Sequence, residues 1–202
     1  MKHNPFQVIK DLEQAISDYT GAPFVVAVNS CTMALLLSLK WFKRFDETDT
    51  VSIPNRTYVS VPMSAIHAGF KVTFRDEDWR GMYRLGPLPV YDSARFFTRG
   101  MYIQGSHMCV SFHATKILAD TQGGAILLDN PIAYEWLKRM RFDGRTEGVP
   151  PSEDDFQEIG YHCYLSSDVA ARLLLKLHSL PRHNADLPND PYPDLSAMEI
   201  FR

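Results

Sequence analysis

The residues best suited to chemistry are few and lie where apolar runs end. Lys116 closes Ser111-Phe112-His113-Ala114-Thr115-Lys116, just after the run from His107 to Phe112. A lysine taken partly out of water has a lowered pKa, which suits an amine that attacks a carbonyl to form a Schiff base. The competing reading is an ordinary exposed lysine in a loop. Asp92 follows the apolar stretch Leu88 to Tyr91 in Val90-Tyr91-Asp92-Ser93-Ala94. A carboxylate at such a position needs a cation or hydrogen-bond donors, so it is either a functional group or a structural cap. Asn29-Ser30-Cys31-Thr32 separates a short apolar run from a Leu-rich segment. It reads as a helix N-cap or as an anion cradle of backbone N–H groups and hydroxyls. Tyr58, in Arg56-Thr57-Tyr58-Val59-Ser60, could stack on a planar ligand or pack as a core tyrosine.

Short apolar strands alternating with amphipathic helices must position these groups. Strands are expected at Phe24–Val28, Val51–Pro54, Lys71–Phe74, Leu88–Tyr91, His107–Phe112 and Gly124–Leu128. Helices are expected from Asn4-Pro5 to Gly21, from Met33 to about Phe42, over Ser60–Ala68, over Pro131–Phe142, and from Ser167 or Asp168 to Leu180. The stretch from Trp79 to Gly86 has no clear period. This alternation predicts an α/β fold with a mainly parallel sheet and flanking helices, whose ligands gather at the carboxyl ends of the strands. Residues 1–180 read as one compact domain, and 181–202 as a Pro- and Asp-rich tail wrapping the surface.

Composition narrows the function classes. The chain has 202 residues, 45% hydrophobic and 22% charged, with a formal net charge of -3. A balance so near neutral gives no broad footprint for nucleic acid or an anionic membrane. No apolar run is long enough to span a bilayer. Cys31, Cys109 and Cys163 form no CxxC pair, and His107, His113 and Cys109 have no defensible ligand spacing, so no metal site is expected. The N-terminus lacks the apolar stretch of a signal peptide, and with so few cysteines the expected compartment is the reducing cytoplasm. Neither GxGxxG nor GxxxxGK[ST] occurs, which removes the main support for dinucleotide or P-loop binding.

Taken in order, the same residues resemble the DegT/DnrJ/EryC1/StrS family of pyridoxal-phosphate sugar aminotransferases. The likeness runs through Gly21 to Leu35, Pro54 to Val59, Tyr91 to Ala94, the lysine motif Ser111 to Lys116 with Gly123-Gly124, and Gly160-Tyr161-His162 with Ala170-Ala171. It implies the large domain of aminotransferase fold type I and pyridoxal 5'-phosphate as cofactor. Lys116 would carry the Schiff base and Asp92 would pair with the ring nitrogen. Tyr58 would stack on the ring, while Ser30, Cys31, Thr32 and Ser111 would hold the phosphate. Arg95 and His113 complete the cofactor contacts, and His162 would reach the neighbouring subunit's cofactor. The implied activity moves an amino group, with glutamate as donor, to a keto group of a nucleotide-linked sugar. A homodimer with its active site at the subunit interface is implied as well. The departures are as informative. Family members are usually longer, so their small C-terminal domain is largely missing here, and the region between Phe74 and Asp92 is shortened. Cys31 stands where the family has Gly, Arg95 where it has Gln, and His162 where it has Asn. These motivate an alternative: a catalytically inactive protein or binding module that keeps the fold.

Overall fold

A computed structural model describes Asn4 and residues 6–201. Its elements, in chain order, are α1 (Gln7–Thr20), β1 (Phe24–Val28), α2 (Cys31–Lys43), β2 (Thr50–Pro54), α3 (Ser60–His67), β3 (Lys71–Arg75), β4 (Tyr83–Arg84), β5 (Val90–Asp92), β6 (His107–Ser111), β7 (Gly124–Leu128), α4 (Pro131–Met140) and α5 (Ser167–His178). Two short 3-10 turns, Leu195–Ala197 and Glu199–Phe201, end the chain.

Local chemistry sets the helix ends. The Asn4 side chain accepts from Phe6 N–H at 3.0 Å, while Pro5 lies outside the described residues. Gly21 stops α1 with φ at 81°, a left-handed turn only glycine enters freely, and donates its N–H to Ser17 O at 2.9 Å. Ser30 caps α2 by accepting from Met33 N–H at 3.2 Å. Asn130 caps α4 in the same manner, and Pro131 opens that helix. Ser166, one residue earlier than expected, stands at the N-cap of α5.

The main sheet has the order β1-β7-β6-β5-β4, and β2 and β3 form a separate parallel pair. The expectation of a mainly parallel sheet needs correction, because the sheet is mixed. Only β5 and β6 run parallel within it; β1/β7, β7/β6 and β4/β5 are antiparallel. The reason lies in the connections. No helix crosses between β6 and β7, or between β4 and β5, and a connection without a crossover returns the chain antiparallel.

Alternation along the strands divides the core into two layers. Val26, Val28, Cys109, Ile126 and Leu128 face α2, with Val51 and Ile53 of β2 in the same cluster. Val25, Ala27, Met108, Val110 and Leu127 face α1 and α5. β7 is buried along its whole length, as befits a strand covered on both faces. The C-terminal tail does more than wrap the surface. Leu195 is fully buried, and its N–H donates to Asn55 O at 2.9 Å, so the tail crosses over the carboxyl ends of β1, β5 and β6.

Candidate active site

Those strand ends and the tail enclose a cavity of about 490 Å³. β1 leads into α2, which brings Ser30, Cys31 and Thr32 to one wall. β5 ends in Asp92, with Arg95 three residues on, and β6 ends in Ser111, followed by His113 and Lys116. Tyr58, from the β2–α3 connection, borders the mouth and is more than half exposed. The sequence therefore placed these nine side chains around one space. His162 lies elsewhere: its ring meets Asp143 at 2.8 Å and does not line the cavity.

The end of the cavity at the start of α2 is built tightly. A Cβ on Gly124 would stand 2.6 Å from Cys31 N and 2.7 Å from Ser30 C, so only glycine lets β7 start against the first turn of α2. That turn has N–H groups with no preceding helical carbonyl to accept them. Thr32 Oγ1 pairs with Ser60 Oγ at 2.8 Å, which sets two hydroxyls beside the helix end. Helix dipole, N–H groups and hydroxyls together favour an anion there.

At the other end, Asp92 is 5% exposed. Tyr83 donates its hydroxyl to Asp92 Oδ2 at 2.9 Å, and Ala94 N–H donates to Oδ1 at 3.0 Å. No ion pair reaches Asp92 among the described residues. Burial pushes its carboxyl above the ordinary value, and the two hydrogen bonds offset only part of that. Lys116 Nζ has neither a hydrogen bond nor an ion pair among the described residues. Burial, and secondarily Arg95, pull its amine below the ordinary lysine value, while Asp92 acts in the opposite sense. Burial holds the Cys31 thiol well above its usual range, so it packs as a neutral group rather than a nucleophile. The cavity thus offers a carboxyl in want of a cation, an unengaged amine and an anion-favouring helix start.

Several groups that line or support the cavity escaped sequence reasoning. Tyr83 sits in the stretch that lacks a period, and Trp79 beside it packs edge-on to the Tyr83 ring at 4.6 Å. Asp190 and Tyr192 come from the tail. Arg95, 6% exposed, is ion-paired with Asp190 and donates from Nη1 to Pro188 O at 2.5 Å. The Asp190-Pro191-Tyr192 sequence was the one available signal, and it reads equally well as a turn. Among the described residues no three His, Cys, Asp or Glu side chains are placed to hold a metal, and no helix is long and apolar enough to cross a membrane.

Comparison with known proteins agrees with this architecture. The model of the DegT/DnrJ/EryC1/StrS aminotransferase family matches residues 4–82 and 102–187. Among solved structures, the sugar aminotransferase CalS13 from Micromonospora echinospora superposes with a TM-score of 0.70 at 19% identity, over 88% of this chain and 61% of its own. The AtS13 protein from Actinomadura melliaura gives 0.74 at 20% identity, over 85% and 59%. PseC from Helicobacter pylori, an aminotransferase involved in the biosynthesis of pseudoaminic acid, gives 0.72 at 18% identity, over 89% and 59%. The fold is that of these fold type I proteins, and the chain spans less than two thirds of their length.

Proposed function

Because this chain belongs to the DegT/DnrJ/EryC1/StrS aminotransferase family, we propose that its cavity binds pyridoxal 5'-phosphate and that it transfers an amino group to a keto sugar carried on a nucleotide. One observation carries the reading: the free amine of Lys116, the cation-less carboxyl of Asp92 and the helix start at Thr32 line a single cavity. These are the complements of an aldehyde, a ring nitrogen that can hold a proton, and a phosphate.

The residues fit distinct parts of that group. Ser30, Cys31, Thr32 and Ser111 would hold its phosphate through backbone N–H groups and hydroxyls. Asp92, fixed in position by Tyr83 and Ala94, would keep a proton on the ring nitrogen, gaining the cationic partner it otherwise lacks. Tyr58 would cover one face of the ring. His113 borders the same space. When bound, the cofactor supplies the electron sink that stabilises a carbanion. Lys116 would anchor it and, once released, take and return the proton on the substrate carbon. Its lowered pKa makes it a better base near neutral pH than an exposed lysine.

Two further parts of the proposal concern assembly and compartment. His162 is 70% exposed along its side chain and outside this cavity, which leaves it available to a second copy's cofactor in a homodimer. All three cysteines are unbridged, in keeping with a reducing cytoplasm.

The test is a half-reaction. L-glutamate added to cofactor-loaded protein should abolish the visible absorbance of the bound cofactor, and 2-oxoglutarate should restore it. A spectrum that stays unchanged with every amino acid tried would support the alternative of a cofactor-binding protein without turnover.

A further inference from the structure

The resting cavity holds a carboxylate of its own. Asp190, from the tail, is paired with the Nη2 of Arg95 inside the space that Lys116 and Asp92 line. The pair is lopsided. The Arg95 side chain is 7% exposed and the Asp190 side chain 60%. It is also incomplete: Arg95 Nε is buried and has no hydrogen-bond acceptor among the described residues. A guanidinium presents Nε and Nη2 as a fork that matches both oxygens of one carboxylate. Asp190 takes one arm and leaves the other unsatisfied, a costly arrangement for a buried donor.

We infer that Arg95 is the receptor for the carboxylate of the amino donor, and that Asp190 is an internal occupant which the donor displaces. The inference rests on reading the cavity as an active site and adds to it the group that recognises the donor.

The backbone around Asp190 explains why displacement needs only a side-chain movement. Leu187 N–H donates to Arg95 O at 2.9 Å, and Leu195 N–H donates to Asn55 O at 2.9 Å. Asp194 accepts from Asn55 Nδ2 at 3.2 Å. The tail is thus pinned on either side of residue 190, while the Asp190 side chain already reaches solvent. Rotated outward, its carboxylate is hydrated and gives up the Arg95 ion pair and a hydrogen bond from the Tyr192 hydroxyl at 3.2 Å. An incoming carboxylate that uses both Nε and Nη2 recovers the orphaned donor as well. Tyr192, whose ring lies 6.0 Å from the Arg95 guanidinium, stays as the flat wall against which the fork is held.

Glutarate, an unreactive dicarboxylate, is the probe, and calorimetric titration of cofactor-free protein is the measurement. Asp190→Asn removes the internal competitor and keeps the side-chain size. It should tighten glutarate binding by about tenfold, the equivalent of ~1.4 kcal/mol. Arg95→Gln should weaken binding beyond detection in both the parent and the Asp190→Asn background, and neutral glutaramide should respond to neither substitution. Equal glutarate affinity in the parent and the Asp190→Asn protein would overturn the inference, and that exposed substitution decides the matter even if Arg95→Gln fails to fold. The cofactor is measured separately by absorbance. Cofactor uptake with a glutarate affinity indifferent to residue 190 leaves the aminotransferase reading standing and removes the receptor. The glutarate response without cofactor uptake does the reverse.

Discussion

Asp92 and Asp120 are almost equally buried, 5% and 6% exposed, yet their surroundings are opposite. Asp120, in the loop after β6, accepts from Arg172 at 2.9 Å, from Lys176 at 2.8 Å and from Thr121 N–H at 2.8 Å. The Arg172 hydrogen bond is the main cause holding its carboxyl well below the usual range. Asp92 receives only a phenol and one amide, and burial drives its carboxyl upward. The loop carboxylate clamps the β6–β7 connection to α5. The strand-end carboxylate lowers the stability of the cofactor-free protein, and a ligand that brings positive charge would offset that cost. Buried charge is therefore a guide to function where its partners are missing, not where it is merely buried.

The signs of the pH dependence follow the same division. Asp120, with its folded pKa depressed, contributes stability that is present above its ordinary value of 3.8 and is lost as pH falls below it. Asp92, with its folded pKa raised, contributes stability that is present below 3.8 and is lost as pH rises through the folded value.

Substitutions can break or sharpen this contrast. The largest effect is expected at a third carboxylate, Glu13, which is buried against the fully buried Arg141 and also accepts from Ala27 N–H at 2.8 Å. Glu13→Ala leaves Arg141 with Glu147, 2.7 Å away, as its one remaining carboxylate and orphans Ala27 N–H, so it should cost about 3 kcal/mol in urea unfolding, without touching the cavity. Asp120→Asn should cost about 2 kcal/mol, the scale of a charged hydrogen bond, and leave cofactor affinity unchanged. His107 tests burial with a ring nitrogen that has no hydrogen-bond partner among the described residues. Its ring packs on Phe42, its Nδ1 has no hydrogen bond, and burial lowers its pKa to about 3. Below pH 6.5 the unfolded chain takes up a proton that the folded chain refuses. Stability should then fall by about 1.4 kcal/mol per pH unit from this group as pH drops toward 3, and His107→Gln should flatten that slope. The smallest effect has the opposite sign. Asp92→Asn should stabilise the cofactor-free protein by about 1 kcal/mol at neutral pH, because Tyr83 can turn its hydroxyl proton to Thr57, 2.5 Å away, and accept from the new amide. The same substitution should sharply weaken cofactor binding. Destabilisation at residue 92 with cofactor affinity intact would collapse the contrast between the two aspartates.

Much of this was legible in the sequence wherever the signal is local. β1 and β7 begin and end at the expected residues because a five-residue apolar run between polar, Pro or Gly flanks is too short for a core helix. Ser30 and Gly21 announced helix ends through their own chemistry. Strand direction was not legible, since β7 pairs with β1 and β6 through contacts distant in sequence. Tyr83, the partner of Asp92, lies in a two-residue strand too short to show a period. Arg95 stood out as a departure from the family pattern, but its partners Pro188 and Asp190 come from a tail whose Pro and Asp content predicts only turns. Local rules specify elements and caps; they do not say which distant segment folds over them.

The central claim is that one amine, Lys116, captures the cofactor's aldehyde beside Asp92. Its most direct test is borohydride reduction of protein incubated with equimolar pyridoxal phosphate, followed by peptide mapping. The account predicts a single label on Lys116, with no stable label in Lys116→Ala. Undiminished labelling of the Lys116→Ala protein, or label spread over exposed lysines while Lys116 stays free, would contradict it.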